Sequence, residues 1–277
     1  MLGKRSARLV PAVLALGLAV GLAACGDKDS PKDDSHDKPV DKGIKDFDFG
    51  NATVRNRDGE DLEFKDGHHT VEGYEGKKDD EGRTVGWNIV EGPEFADIDG
   101  DNDLDAALVY EWVPAGGQSV FTAYVWTWDK DKATQVHHPI EGGNYGKVSG
   151  LKPKKDGFEV TTVSRPYNAP AYELDGEEET FTIGLKDGYP VQTEPVFGAV
   201  DRCVRHDEDP PGARGDGALP RVAPNEDAPA IGEKKDFEAI HTVASDFHTE
   251  DWVLVRAERT DGSVSCGWVK AEETGQG

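Results

Sequence analysis

Strand-length runs of β-branched and aromatic residues recur between residue 47 and about residue 197. The runs are VGWNIV (85–90), AALVYEW (106–112), SVFTAYVWTW (119–128), FEVTTV (158–163) and ETFTIGL (179–185). Such side chains favour the pleated, half-buried surface of a sheet, and no stretch shows a helical period of useful length. The sequence therefore predicts an all-β fold: an antiparallel meander curled into a sandwich or a partial barrel.

Asp-Gly pairs lie between or beside strand-like runs. Four such pairs are those at residues 58–59, 156–157, 187–188 and 261–262. Both residue types tolerate the positive φ that tight hairpin turns require. The pairs therefore predict hairpin turns, and hairpins join antiparallel strands.

The run at 119–128 is apolar on both of its alternating faces, which is typical of a central strand. Its Trp126 and Trp128 allow two interpretations, an aromatic platform for sugar rings or core packing. We assign both to the core, and we assign Tyr110 and Trp112 to the core in the same way.

The chain is strongly acidic. It has 277 residues with 55 Asp and Glu against 31 Lys and Arg, a formal net charge of -24. Binding to nucleic acid or to anionic lipid headgroups depends on Lys and Arg. We therefore exclude nucleic acid as a partner, and we expect a surface or secreted protein that attracts cations. The length is compatible with one to three domains.

The first 24 residues have the features of an export signal. Three basic residues precede an apolar run at 9–24 that ends in small residues. The tetrapeptide LAAC at 22–25 resembles a bacterial lipobox, which implies that Cys25 is lipid-modified and becomes the mature N-terminus. The alternative is an ordinary secretory signal with a cysteine at this position by chance.

A lipidated Cys25 implies that the protein is anchored to the lipid bilayer of the bacterial cell membrane, on its extracytoplasmic side. More than one acyl chain is enough for stable anchoring. Residues 26–46 are almost wholly polar and lack periodicity. We therefore expect a disordered tether at 25–46, between the signal peptide at 1–24 and the folded chain.

The two remaining cysteines are Cys203 and Cys266. An exported protein folds in an oxidising compartment, so a disulfide between them is the expected state. A free pair and a metal site are the alternatives. A metal site is disfavoured because no CxxC motif accompanies either cysteine.

The segment from 219 to 269 resembles a bacterial SH3 domain (SH3b). The resemblance depends on Arg221, Pro224, Ile231-Gly232, the polar residues 234–236, Trp252-x-x-Val255 and Gly267-Trp268-Val269. It implies a small SH3-like β-barrel after the first domain, with Trp252 and Trp268 as packing residues. We expect an all-β domain at 47–197 and an SH3b-like domain at 198–277. Some members of the family bind cell-wall peptides, so a cell-wall or envelope ligand is a possible partner.

Five aspartates alternate along FADIDGDNDLDAALVY, residues 95–110: Asp97, Asp99, Asp101, Asp103 and Asp105. Like charges this close repel unless a cation offsets them. Calcium takes six to eight oxygen ligands from a flexible loop, and side chains at odd positions of a coiled loop can converge. Asn102 tolerates the left-handed conformation that such a bend needs. The spacing predicts a calcium-binding loop, and the alternative is a solvated acidic turn without metal.

The same stretch resembles the FG-GAP/VCBS calcium loop, D-x-D-G-D-G-x-x-D followed by an apolar strand, with Asn102 in place of the second glycine. The resemblance implies Ca²⁺ ligands from the side chains of Asp97, Asp99, Asp101 and Asp105 and from the backbone carbonyl of Asp103. An EF-hand is excluded because its twelfth position is Leu108 and its flanks read as strands. A β-propeller is excluded because only one repeat is present.

No catalytic motif stands out. His68-His69 and His137-His138 are adjacent pairs, and neighbours on a strand point to opposite faces, so neither pair chelates alone. The sequence has no HExxH and no GxSxG. We predict a non-enzymatic envelope-binding lipoprotein. An envelope hydrolase or its accessory subunit is one alternative, and a structural or adhesive surface protein is another.

Overall fold

The computed structural model describes residues 43–80, 82–116, 118–142, 146–165, 176–205, 212–215, 217–245 and 248–274. The predicted signal peptide, Cys25 and nearly all of the predicted tether lie outside these residues. Helices in the described part are single 3-10 turns at Ile44–Asp46, Phe49–Asn51, Lys234–Asp236 and Ala271–Thr274. None of them has the length and apolar character that a membrane crossing requires.

Strands dominate the described residues, which confirms the all-β prediction. In chain order they are β1 (Thr53–Arg55), β2 (Asp61–Glu63), β3 (His68–His69), β4 (Gly86–Ala96), β5 (Asp105–Val113), β6 (Val120–Asp129), β7 (Lys132–Gln135), β8 (Ile140–Glu141), β9 (Lys147–Lys154), β10 (Gly157–Ser164), β11 (Glu177–Lys186), β12 (Tyr189–Glu194), β13 (Gly198–Ala199), β14 (Phe237–Thr242), β15 (Trp252–Arg259) and β16 (Val264–Lys270). The five runs singled out in the sequence fall in β4, β5, β6, β10 and β11.

Three sheets contain these strands. β1 and β2 form a two-stranded hairpin, and β14, β15 and β16 form a three-stranded meander. The remaining strands form an 11-stranded sheet in the order β13-β12-β11-β10-β9-β6-β5-β4-β3, with β7 and β8 also paired to β6. All strand pairs are antiparallel except β6 with β9, where Phe121 lies opposite Lys147.

The centre of the large sheet is buried on both faces, as its sequence predicts. On one face Ala107 and Val109 of β5 pack with residues of β9, β10 and β11, including Leu151, Phe158 and Ile183. The β9–β11 half of the sheet therefore covers the β5–β6 half, which makes this part a sandwich.

The other face of β5 and β6 is covered by the N-terminal segment. Leu108, Tyr110 and Trp126 pack there against Phe49 and Leu62, among others. The β1–β2 hairpin and the first two 3-10 turns thus form a second layer. This layer decides which part of the face remains open to solvent.

The Asp-Gly pairs at 58–59, 156–157, 187–188 and 261–262 all lie at hairpin turns, as predicted. At the β11–β12 turn both Asp187 and Gly188 have positive φ, 52° and 82°, the pattern of a type I′ turn. The β6–β7 turn uses Lys130 and Asp131 with φ of 49° and 66°. Its sequence carries no glycine, so the turn could not be predicted from an Asp-Gly pair.

The C-terminal sheet differs from the closed SH3-like barrel that the resemblance implies. It is an open meander, extended only by isolated bridges from Arg221 to Ala230 and Trp268 and from Arg214 to His241. Leu254 and Trp268 pack against Ala199 of β13, so this sheet buries one face against the larger sheet. The described residues accordingly belong to one compact unit, and β13, just after the predicted boundary at 197, pairs with β12.

The Sγ atoms of Cys203 and Cys266 lie 2.07 Å apart, which is disulfide distance. Cys266 is in β16, and Cys203 follows β13. The link therefore holds the segment after β13 against the C-terminal sheet, as the sequence predicts.

Candidate metal centre

The five alternating aspartates lie at the turn between β4 and β5. The two strands end in register there, with Ala96 opposite Asp105. Gly100 and Asn102 have φ of 81° and 71°, so the left-handed bend expected at Asn102 is present. Strands flank the loop on both sides, in agreement with the exclusion of an EF-hand.

Backbone N–H groups tie the loop to its own carboxylates. The Asp97 carboxylate accepts from the N–H of Gly100 at 2.7 Å and from that of Asn102 at 3.1 Å. Asp101 donates its N–H to Asp99 Oδ1 at 3.2 Å, and Asp103 donates its N–H to Asp101 Oδ1 at 2.8 Å. These bonds coil the chain tightly around the side chains at the start of the loop.

Asp105 anchors the loop to the sheet. Its side chain is fully buried, with Oδ2 accepting from the N–H of Ile98 and Oδ1 from the N–H of Trp128, both at 2.9 Å. One carboxylate thus connects the loop, the first residue of β5 and strand β6. Burial raises the pKa of Asp105 to about 7, against the two hydrogen bonds, and the charges of Asp99 and Asp101 raise it further.

Three of the five side chains converge. Asp97, Asp99 and Asp105 each offer a carboxylate oxygen, and these oxygens lie within 4.8 Å of one another. Carboxylate oxygens are the ligands that Ca²⁺ and Mg²⁺ prefer. The donor set therefore fits a hard divalent cation held by these three residues. Asp101 and Asp103 do not belong to the converging group.

Without a bound cation, ionising these partly buried carboxylates has an electrostatic cost. Burial raises the pKa of Asp99, and the neighbouring charges of Asp101 and Asp97 raise it further. The pKa of Asp105 is raised as well, so Asp99 and Asp105 resist being ionised at the same time. A bound divalent cation would reverse this electrostatic penalty, because opposite charge favours the ionised form.

The aromatic residues assigned to the core divide into two groups. Tyr110 and Trp126 are buried, 0% and 4% exposed, which confirms the assignment. Trp128 is half-buried, and its ring lies over Gly43, where any Cβ would overlap it. Trp112 is also half-buried, but it pairs with Trp87 and lines a cleft, so core packing describes it only in part.

A buried charged cluster, which the sequence did not reveal, lies on the inner side of that cleft. Arg57 forms an ion pair with Glu141, and its guanidinium also lies 3.6 Å from Asp201. His138 Nε2 and Trp268 Nε1 both lie 2.7 Å from Asp201 Oδ2. The partners come from four separate stretches of chain, so no local sequence motif predicts the cluster. Its only sequence signal is the His137-His138 pair, of which His138 belongs to the cluster.

Comparison of the chain with protein-family models, with curated proteins and with solved structures finds no match.

Proposed function

We propose that this protein is a lipoprotein of the bacterial cell membrane, exposed on the extracytoplasmic side, that binds Ca²⁺ in the β4–β5 loop and serves as a non-enzymatic binding protein. The observation that carries the calcium assignment is the convergence of Asp97, Asp99 and Asp105 within 4.8 Å. The lipobox resemblance ending at Cys25 supports the anchor. The SH3b resemblance supports an envelope component as the partner.

The proposed role of the ion is structural. Asp105 binds the N–H of Trp128 on β6 as well as that of Ile98 in the loop. A cation held by Asp97, Asp99 and Asp105 would therefore connect the loop to the central strands of the sheet. It would fix a hairpin end that is otherwise an exposed, highly charged turn.

A melting experiment on the purified full-length protein tests the calcium assignment. Extracellular calcium modules bind at roughly 10⁻⁴–10⁻³ M. With a dissociation constant of about 0.1 mM and about 1 mM free Ca²⁺, linkage stabilises the fold by about 1.4 kcal/mol. We expect a chelator to lower the melting temperature by a few degrees and added Ca²⁺ to restore it. Mg²⁺ should do less, because it demands a tighter octahedral shell.

Two variants separate a coordinated ion from a general cation cloud. Asp99→Ala removes a converging carboxylate and should abolish the response to Ca²⁺. Asp103→Ala is the matched control, because only the backbone carbonyl of Asp103 is expected to bind. Equal responses of the two variants, or a wild-type protein indifferent to Ca²⁺, would show that the loop holds no specific ion.

Incubation with purified cell wall tests the binding role. A non-enzymatic binding protein should be retained on the wall without any loss of wall mass. Turnover of the wall would instead indicate a hydrolase, and the absence of both retention and turnover would indicate a purely structural or adhesive role.

A further inference from the structure

A cleft of about 520 Å³ opens at the end of the large sheet, where the β1–β2 hairpin stops covering it. This volume is within the range of small-molecule sites in proteins. The hairpin supplies one wall, with Asn56, Asp58 and Glu60. The segment after β3, with Glu72, supplies another.

The sheet supplies an apolar floor in one row across three strands. Trp87 of β4 lies opposite Trp112 of β5, and Trp112 lies opposite Val120 of β6. The two indole rings are 5.6 Å apart at an angle of 42°, and both are half-buried. Val120 is 36% exposed, and Val90 is the other large hydrophobic side chain exposed in the described part. Aromatic and aliphatic surface is thus left open to solvent at this place.

Several hydrogen-bond donors of the cleft are already occupied. The Asn56 amide donates to Glu60 Oε2 at 3.0 Å, and the Thr122 hydroxyl donates to Glu141 Oε1 at 3.4 Å. Arg57 is held by Glu141 and Asp201. These three side chains are therefore engaged, which leaves the indole N–H groups of Trp87 and Trp112 as donors at the floor.

The acceptors, in contrast, remain available. Among the described residues, Asp58 and Glu72 have no hydrogen-bond or ion-pair partner, and both are exposed at the rim. His69 Nδ1 lies 3.0 Å from the carbonyl oxygen of Glu63. Because a carbonyl only accepts, Nδ1 carries a proton and is engaged as a donor. Four carboxylates and a single guanidinium line the cleft, so its field is negative.

We propose that this cleft binds an organic ammonium group, with its positive charge over the indole faces of Trp87 and Trp112 and near the carboxylates of the rim. A cation is attracted by the negative face of an aromatic ring, most strongly by Trp. An excess of carboxylate acceptors suits a ligand that brings donors and positive charge. The exposed Val120 side chain accommodates apolar carbon next to the ammonium. The site is separate from the calcium loop and does not depend on it.

The same features disfavour the competing classes of ligand. An anionic ligand would meet three uncompensated negative charges once Arg57 offsets one of the four carboxylates. A neutral sugar gains from aromatic stacking, but it brings no positive charge to the uncompensated carboxylates of the rim. An ammonium ligand uses both the aromatic floor and the acid rim.

Isothermal titration of the purified full-length protein tests the proposal with matched probes. Choline carries a quaternary ammonium, and 3,3-dimethylbutan-1-ol has the same shape without the charge. We expect choline to bind at least about tenfold more tightly, the size of a partly desolvated cation–π contact. Nα-acetyl-lysine amide, in a parallel titration, represents an ammonium on a peptide. If choline binds more tightly than Nα-acetyl-lysine amide, the ammonium group comes from a small molecule. If the lysine amide binds more tightly, it comes from a peptide.

Variants connect the binding to the cleft. Trp112→Leu keeps an apolar side chain but removes the ring, and it should weaken choline binding about tenfold. Glu72→Gln removes a free rim charge and should weaken binding severalfold, most clearly at low salt. Glu178→Gln, an exposed acid on β11, is the control and should change nothing.

Three results would overturn the proposal. The first is equal binding, or no binding, of choline and its neutral isostere by wild type. The second is tighter binding of a neutral glucose trisaccharide than of either cation. The third is unchanged choline binding in Trp112→Leu. Retention of the wild-type melting temperature shows that a variant is folded, and the response to Ca²⁺ is read separately.

Discussion

Asp201 and Trp268 are joined by a hydrogen bond of 2.7 Å from the indole Nε1 to Oδ2, although they are 67 residues apart in sequence. Both side chains are fully buried. The same carboxylate also meets His138, before β8, and Arg57, from the β1–β2 hairpin. One buried charge therefore connects the C-terminal sheet to two distant parts of the N-terminal sandwich.

Removal of this carboxylate should strongly destabilise the fold. Breaking a buried ion pair by removing one partner costs about 3–5 kcal/mol, since it leaves the other charge buried without compensation. We expect Asp201→Ala to lower the free energy of unfolding by about that amount in urea. The exposed Glu178→Ala is the control, with an expected change within about 0.5 kcal/mol. A loss below about 1 kcal/mol in Asp201→Ala would contradict the role assigned to the cluster.

Acid should destabilise the fold by protonating Asp201. Burial by itself would raise the pKa of Asp201, but the imidazole of His138, the guanidinium of Arg57 and the indole N–H of Trp268 together lower it to about 2. An unfolded Asp titrates near about 3.9. Because the folded pKa is the lower one, the contribution is complete above about pH 4 and is lost as the pH falls towards 2.

Urea unfolding at several pH values checks this window. The free energy of unfolding should fall more steeply between about pH 4 and pH 2 in wild type than in Asp201→Asn. Glu141 acts in the opposite sense, because burial raises its pKa, so its protonation favours the fold at pH values above this window. Parallel curves for wild type and Asp201→Asn would exclude Asp201 as the acid-sensitive group.

Asp105 should be required for stability with or without calcium. Its carboxylate accepts the N–H groups of Ile98 and Trp128, and an unsatisfied buried donor costs about 1–3 kcal/mol. In the presence of a chelator we expect Asp105→Ala to melt below wild type. Asp99→Ala should melt close to wild type under the same conditions. If the two variants were equally stable without Ca²⁺, the anchoring role of Asp105 would be wrong.

Reduction of the cysteine pair should destabilise the C-terminal sheet. Mass analysis under non-reducing conditions should give a peptide linking Cys203 to Cys266. The closed loop spans 63 residues, which corresponds to about 4 kcal/mol in the chain-entropy model. Cys203→Ser combined with Cys266→Ser should lower the unfolding free energy by up to that amount. Two thiols that alkylate in the folded, non-reduced protein would argue against the link.

Membrane anchoring should depend on Cys25. Cys25→Ala should release the protein from membranes or leave its signal uncleaved, because no thiol remains for the acyl chain. Immunoblotting of cell fractions measures the release and the size of the protein, and radiolabelled palmitate measures its acylation. Label that persists in Cys25→Ala would disprove the lipobox assignment.

Local features of the fold were predictable, because they depend on neighbouring residues. The strand run at 119–128, the turn at Asp187-Gly188 and the left-handed Asn102 each follow from side-chain shape or backbone tolerance. The loop spacing likewise predicted that Asp97, Asp99 and Asp105 would approach one another. Asp101 was also predicted as a side-chain ligand. It lies outside the converging group, and its role as a ligand stays a prediction.

Features that depend on packing between distant segments were not predictable. The cleft exists because Trp87 and Trp112 lie in register and because the β1–β2 hairpin ends before it covers them. The sequence gives neither the register nor the point at which the hairpin stops. The ionic cluster around Asp201 could not be predicted for the same reason, because no motif in the neighbouring sequence marks any of its members.

The shared burial of Leu254 and Trp268 against Ala199 has a consequence for recombination. Residues 198–277 moved alone into another protein would carry Asp201 without Arg57 or His138, and their open sheet would lose the surface that covers it. Residues 47–197 moved alone would carry Arg57 and His138 without the Asp201 carboxylate. A gene fusion or exchange that divides the chain at residue 197 would therefore give two destabilised proteins. Selection would act against both, so we expect the two halves to be inherited together.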